Sequence, residues 1–330
     1  MDKKEATEFA KQYSSKDVLA VYQNGNHWVA IFSDGTKAKF TEDEKATHFT
    51  YDFPSNFDLH INNKCDAGCP YCHENSTPNG ETPSLQDFVD SKFYDSLKSG
   101  TEMAIGGGNI FESPDIEILL KANAEKGIVS NVTVNQRHVV KNLDTLKRWV
   151  EQKLIYGIGL SLVDSSDNTF WDAVNKLGEN VVIHVIAGIL TKNDYIYLRN
   201  RKVLILGYKN LRRGASYFND EVQAKIDELK SNLINLSNRV AVLSADCLAI
   251  EQLDFKTVLN IKDIDWNFLY QGSDTDVKDA DGNITCSTMY IDLCNGPTCA
   301  RMSTAALDKR FKFSYDESIE DVFKKSIQGW

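Results

Sequence analysis

Between residues 57 and 210, short apolar runs alternate with helical stretches, and this alternation limits the chain to few architectures. "FDLHIN" (57–62), "EMAIGG" (102–107), "NVTVN" (131–135), "YGIGLSL" (156–162), "VVIHVIAG" (181–188) and "VLILGYK" (203–209) are rich in β-branched residues and predict strands. The segments near 85–98, 114–126, 139–152, 166–178 and 191–200 predict helices between them. A strand–helix–strand series of this kind builds right-handed βαβ units around a parallel sheet. Six such strands make a curved partial barrel or a doubly wound sheet. In such folds chemistry gathers at the C-terminal ends of the strands, where the βα loops are free to vary.

The flanks differ in character. "DVLAVYQNGNHWVAIFSDGTKAKF" reads as an antiparallel meander with hairpin turns at Asn24-Gly25 and Asp34-Gly35. The polar stretch TEDEKATH leads from it into the first strand of the series. A longer helix (219–236), a further strand (239–244) and a β-rich tail follow. With 330 residues and 42% hydrophobic content the chain can bury a full core, and no linker or low-complexity run divides it. The expected organisation is a β-meander over 1–52, a partial barrel over 53–240 and a C-terminal extension over 241–330.

"KCDAGCPYCHEN" (64–75) fills the loop after the first strand of the series, and its cysteines admit four readings. Cys69-Pro70-Tyr71-Cys72 spells a dithiol redox site, and adding His73 gives the C-x-x-C-H pattern of covalent haem attachment. Three thiolates could hold zinc with a fourth ligand from elsewhere. Counting Cys65 gives C-x3-C-x2-C, the spacing of a [4Fe–4S] site. The N-terminus is charged and lacks an apolar signal region, and nowhere do eighteen apolar residues run together, so the protein is expected to be cytosolic without a membrane span. Haem attachment belongs to exported proteins and falls away. Seven cysteines in a reducing compartment do not suggest a disulfide framework, whereas three clustered ones suggest a metal or redox site. A dithiol oxidoreductase is short and gives Cys65 no role. Zinc lacks a second pair of ligands nearby, although His60 or a distant cysteine could serve. The net charge of −10 and pI near 5.2 oppose broad, nonspecific nucleic-acid binding.

On these cysteines and on "AIGGGNIFESPD" some forty residues later, residues 57–210 resemble the radical SAM superfamily. The resemblance implies a partial (β/α)6 barrel with an N-terminal β-meander and a C-terminal α+β extension. It implies that Cys65, Cys69 and Cys72 bind three irons of a [4Fe–4S] cluster, and that the amino and carboxylate groups of S-adenosylmethionine (SAM) chelate the fourth. Tyr71 is then expected beside the adenine. Gly106 and Gly107 match a Gly-Gly-Glu type motif whose backbone meets the methionine amino group, with Gly108-Asn109 replacing the acidic residue. Asn135 and Ser161 stand where polar contacts to the methionine or ribose are made. Ile186 and Gly188 line the adenine pocket or are simply buried strand residues. Lys209, with Arg212 and Arg213, forms a basic knot that binds the SAM carboxylate or an anionic substrate, or else pairs with nearby acids. The implied partner is a flavodoxin- or ferredoxin-like electron donor. The implied reaction is reductive cleavage of SAM to a 5′-deoxyadenosyl radical, which abstracts hydrogen from a peptide, a nucleoside or nucleotide, or a glycyl-radical partner. The alternative of a different class is a zinc-binding or thiol-redox protein that uses the same cysteines without SAM.

The tail carries fewer signals. "DTDVKDADGNIT" misses the EF-hand offsets and reads as a hairpin turn at Asp281-Gly282. Cys247 is expected as a buried small hydrophobe. Cys286, Cys294 and Cys299 are one thiolate short of a second cluster, and packing is the expected role.

Overall fold

The computed structural model describes residues 1–33, 36–269, 277–278, 284–303 and 309–328; the expected turns at Asp34-Gly35 and Asp281-Gly282 lie outside them. The chain opens on a helix, Lys3–Ala10, which the strand and turn signals did not anticipate. Its signature is nonetheless present, because Asp2 caps the backbone amides of Lys4 and Glu5 while Glu5 returns a bond to the Asp2 amide. Ala6 and Ala10 pack this helix on Val21, Ala30 and Phe32 of the meander.

The meander is a three-stranded antiparallel sheet of β1 (Val18–Asn24), β2 (His27–Phe32) and β3 (Lys37–Phe40). Its first turn sits one residue later than expected. Asn24 pairs with His27, so Gly25-Asn26 forms the turn and Gly25 takes a φ of +59°. Asn24 is buried, and its amide bonds the Phe53 carbonyl at 2.9 Å and the Asp52 amide at 2.8 Å. These two hydrogen bonds to the chain behind the turn, one donated by Asn24 Nδ2 and one accepted by its Oδ1, keep Asn24 in the strand.

The main sheet begins with β4 (Asn56–His60), β5 (Glu102–Gly106), β6 (Val129–Asn135), β7 (Gly157–Ser161), β8 (Val181–Ile186) and β9 (Lys202–Leu206). These are the six expected strands, adjacent in chain order and parallel throughout. The C-terminal segment joins the same sheet rather than standing apart from it. β10 (Val242–Ala245) adds in parallel to β9, and after the short β11 (Val277–Lys278) and β12 (Ile284–Thr285) pair, β13 (Thr288–Asp292) adds in parallel to β4. The antiparallel strands β14 (Thr298–Ala300) and β15 (Phe311–Lys312) complete ten strands. Several expected helices are shorter or broken. Residues 85–98 form two pieces, Leu85–Val89 and Lys92–Ser96, and the 191–200 stretch holds only a tight 3₁₀ segment, Asp194–Leu198.

Side chains along the parallel strands alternate strictly. Phe57, Leu59, Met103, Ile105, Val132, Val134, Ile158, Leu160, Ile183, Val185, Val203 and Ile205 are buried in one core cluster with residues of the outer helices, including Leu119, Leu146, Trp149, Val174 and Leu229. The intervening residues face the other way, and Asp58, His60, Thr133, Asn135, Ser161 and His184 among them line a central cavity. Residues from β4 and from the β10 end of the sheet line the same space, so the sheet curls around it.

Burial sets up an acid sensitivity. His27 packs between Phe49 and Tyr51, with ring centroids 4.6 and 4.9 Å away, and burial with Lys39 nearby pushes its pKa from 6.5 down to about 3. The folded state therefore refuses a proton that the unfolded chain accepts below pH 6.5, and stability is lost as pH falls from there toward 3. Each pH unit crossed removes up to about 1.4 kcal/mol. Denaturant titrations from pH 7 to pH 4 should show this loss, and His27→Gln should flatten the slope.

Candidate functional site

The cysteine loop leaves the end of β4 and is anchored on its own return arm. The Cys65 amide bonds the Thr77 carbonyl at 2.8 Å and the Thr77 amide bonds the Asn63 carbonyl at 3.0 Å. The turn after β5 joins it, with the Gly108 and Asn109 amides 2.7 Å from the carbonyls of Asn62 and Lys64. From the short helix that follows β6 (Gln136–Val139), the Arg137 guanidinium donates to the Ala67 carbonyl and His138 Nε2 lies 2.7 Å from Asp66 Oδ1. From the loop after β9, Arg212 reaches Glu74 at 2.6 Å and the His73 carbonyl at 3.1 Å, while Arg213 donates to the Ser76 carbonyl at 2.8 Å. Much of the expected basic knot is therefore engaged in holding the cysteine loop.

Cys65, Cys69 and Cys72 are all half-buried and free, and Cys65, Cys69 and Cys72 line one cavity. Burial pushes the thiols of Cys65 and Cys69 above their ordinary range. Such thiols are poor nucleophiles for disulfide exchange, and binding a metal would deprotonate them. Two donors already face their sulfurs: the Ala67 amide lies 3.4 Å from Cys65 Sγ and Asn135 Nδ2 lies 3.5 Å from Cys69 Sγ. Donors so placed favour thiolate, so the residues present fit a metal cluster held by three cysteines.

The cavity measures about 380 Å³. Gly106, Gly107, Gly108, Asn135, Ser161, Ile186 and Lys209 line it together with the cysteines. Tyr71 lines an adjoining smaller space with Leu162, Ile186, Gly207 and Tyr208. Gly188 lines neither. It holds a φ of +84°, and a Cβ there would come within 2.7 Å of Val222 on the Asp220–Ser237 helix, so its glycine serves close helix packing. Asn135 also caps the following helix through the Arg137 amide, at 3.1 Å. Lys209 reaches Ser303 at 2.8 Å and His73 at 3.3 Å.

Beside the cavity lies a buried polar network that the motif reading did not assemble. His60 Nε2 is 2.7 Å from the Asn62 carbonyl, and Nδ1 is 2.9 Å from the Tyr290 hydroxyl and 3.3 Å from Glu74. Burial opposes its charge, yet Tyr290, Cys294 and Glu74 raise the imidazole pKa well above its ordinary value. Burial likewise opposes the Glu74 charge, but hydrogen bonds with His60 and His73 hold that carboxyl well below the usual range. Asp292 takes the Cys294 amide at 2.9 Å and Arg310 at 3.4 Å, so the network balances its own charges. Cys294 belongs here. Cys286 bonds the Thr288 carbonyl at 3.1 Å and Cys299 lies 3.8 Å from that of Val322, each buried. Cys247, expected to be buried, is half-buried at the first position of the Cys247–Gln252 helix.

Gly106, which ends β5, and Gly107, which follows it, differ in what requires a glycine. A Cβ on Gly106 would meet only Thr133, at 3.8 Å, and would project into the cavity. A Cβ on Gly107 would lie 2.6 Å from the Asn62 carbonyl, and the residue holds a φ of +133°. Gly107→Ala should therefore cost about 1–3 kcal/mol in thermal or denaturant unfolding, whereas Gly106→Ala should leave stability nearly unchanged.

No family model matches the chain. One curated protein, the ribosome maturation factor RimM of Wolbachia sp. subsp. Brugia malayi (strain TRS), is 29% identical over 105 residues, which is 32% of this chain and 60% of that protein. Solved structures are similar over far more of the chain. SuiB of Streptococcus suis superposes with a TM-score of 0.55 over 93% of this chain and 87% of its own, at 13% identity. SuiB bound to precursor peptide SuiA gives 0.54 over 83% of this chain, at 14% identity, and SuiB bound to S-adenosylmethionine gives 0.53, at 15%. The chain spans about two thirds of the length of SuiB in those two complexes, 65% and 64%. Three thiols on the loop after the first strand of a curled parallel sheet, and these neighbours, make the fold of this chain that of the radical SAM enzymes.

Proposed function

We propose that this protein is a radical SAM enzyme that cleaves SAM reductively and abstracts hydrogen from a substrate held in the barrel. The observation that carries the reading is the convergence of Cys65, Cys69 and Cys72 on one cavity at the C-terminal ends of β4 to β9. When bound, a [4Fe–4S] cluster and SAM supply electron transfer and the 5′-deoxyadenosyl radical that takes the hydrogen atom. The chain's own part is to hold and enclose. Cys65, Cys69 and Cys72 would hold the cluster through three thiolates, one ligand short of full protein ligation, which would let SAM bind to it directly. Gly106 permits close backbone approach, Asn135 and Ser161 offer polar contacts, and Ile186 with Tyr71 offers apolar surface for the adenine. Lys209 and Arg213 give the mouth a positive charge suited to a carboxylate. The surrounding barrel wall shields a reactive intermediate from water. The electron would come from a flavodoxin- or ferredoxin-like donor. A peptide is the favoured substrate among the classes considered, because similar SuiB binds a precursor peptide.

Anaerobic reconstitution should give a brown protein with about four irons per chain, the content of one cluster. With SAM and dithionite it should release 5′-deoxyadenosine. Cys65→Ala, Cys69→Ala and Cys72→Ala should each lose most iron and all cleavage, while Cys247→Ala keeps both. A colourless protein with stoichiometric zinc, or full cleavage by Cys65→Ala, would overturn the proposal. Gly106→Val should retain the iron yet weaken SAM binding at least about tenfold in equilibrium titration, since its side chain enters the cavity.

A further inference from the structure

Below the cysteines the cavity continues between the strands, and its floor is unlike its mouth. Asp58 lies two residues before His60 on β4, level with Ala104 of β5 and Tyr290 of β13. Its carboxylate is open to the cavity and forms no hydrogen bond or ion pair among the described residues. Strands pack around it and their desolvation pushes its pKa above the ordinary value, with Lys209 acting in the opposite direction, although the side chain itself remains exposed to the cavity. His184 on β8 lines the same space. It is 9% exposed, its Nδ1 is buried with no hydrogen-bond partner among the described residues, and burial lowers its pKa to about 4, so at neutral pH the ring is an uncharged hydrogen-bonding group.

Two further features shape this floor. The His184 ring lies over Gly159, where a Cβ would come within 2.1 Å of the imidazole, so a glycine makes room for it. Asp246 also lines the cavity; its Oδ1 takes the amides of Gly207 and Ala249 at 2.9 and 2.7 Å, which leaves the second oxygen for another group. Glu102, whose charge also reaches Asp58, is paired with Lys37 at 2.6 Å. The lining cations Lys209 and Arg213 are held at the mouth by Ser303 and the Ser76 carbonyl. An anionic floor thus faces a cationic mouth.

We infer that the barrel floor is a subsite for a positively charged group of the substrate, an ammonium or guanidinium, with Asp58 as its counter-ion and His184 and Asp246 as hydrogen-bond partners. The inference rests on the proposed reading of this cavity as the reaction chamber. Its physical basis is that a carboxylate open to the cavity, with no partner among the described residues, attracts an entering cation, and the surrounding protein walls strengthen that attraction relative to bulk water. A neutral or anionic group of the same size gains nothing comparable. The substrate would then be oriented by its charge at the floor, with its carbon chain extending toward the cysteines.

Calorimetric titration of the reconstituted, SAM-loaded protein with n-butylammonium, n-butanol and butyrate tests this directly. Butylammonium should bind at least about tenfold more tightly than butanol, and butyrate should not compete. Asp58→Asn should abolish the preference, with iron content and thermal stability as controls for folding. Absence of butylammonium binding, equal binding of butanol or butyrate by the wild-type protein, or a preference that survives in Asp58→Asn would each overturn the inference. Repeating the wild-type titration without SAM separates it from the catalytic reading. A chain that keeps the cation preference but neither holds iron nor cleaves SAM would retain this subsite and lose the radical chemistry.

Discussion

The register of β4 is the constraint on which the rest of the site depends. This strand is paired in parallel on both sides, with β5 and with β13, so His60 at its end lies between Gly106 and Asp292. Side chains on a strand alternate between faces, and a slip of one residue would turn Phe57 and Leu59 into the cavity and Asp58 and His60 into the helix layer. The apolar cost of that exchange fixes the register. With β4 fixed, the start of the cysteine loop is fixed too, and so is the distance over which neighbouring loops must reach to hold it.

Those neighbouring loops give the cysteine loop a defined shape through contacts of mixed strength. Asp66 and Lys64 keep much of their own surface in solvent while they meet His138 and Glu112, and contacts with so exposed a member contribute little. Glu74 is different, since its carboxylate is buried with His60, His73 and Arg212 around it. Removing one member of such a buried set leaves a charge without a partner, so the set acts as a unit. It ties the first strand, the cysteine loop, the loop after β9 and the final parallel strand to one another. The same loop after β9 brings Lys209 to the cavity, which couples the loop's position to the charge at the mouth.

Much of the architecture was legible because apolar periodicity is a local property. The six strand segments of the barrel appear where their β-branched runs place them, and "KCDAGCPYCHEN" sits in the loop after the first of them. The alternation of Asp58 and His60 with Phe57 and Leu59 was equally visible in "FDLHIN", and it marks a sheet with one polar face. Helix ends were less legible. The segment over 191–200 contains apolar residues at helical spacing, but only a 3₁₀ segment forms, with Asp194 bonded to the Thr191 amide and to Ser165. The N-terminal helix had its capping box in plain view, in Asp2 and Glu5.

The parallel α/β framework, the meander ahead of it and the three clustered thiols were all legible along the chain, because each follows from periodicity or spacing within a few residues. Tertiary structure alone decided which distant groups share the cavity. Tyr290, Asp292 and Cys294 lie more than two hundred residues from His60, and they meet it only because β13 adds beside β4. Gly188 and Gly159 look alike as strand glycines, yet one admits the Asp220–Ser237 helix and the other admits the ring of His184. The chain's order carries no signal for such encounters, since strand pairing across the sheet is set by the burial of whole faces rather than by any local motif.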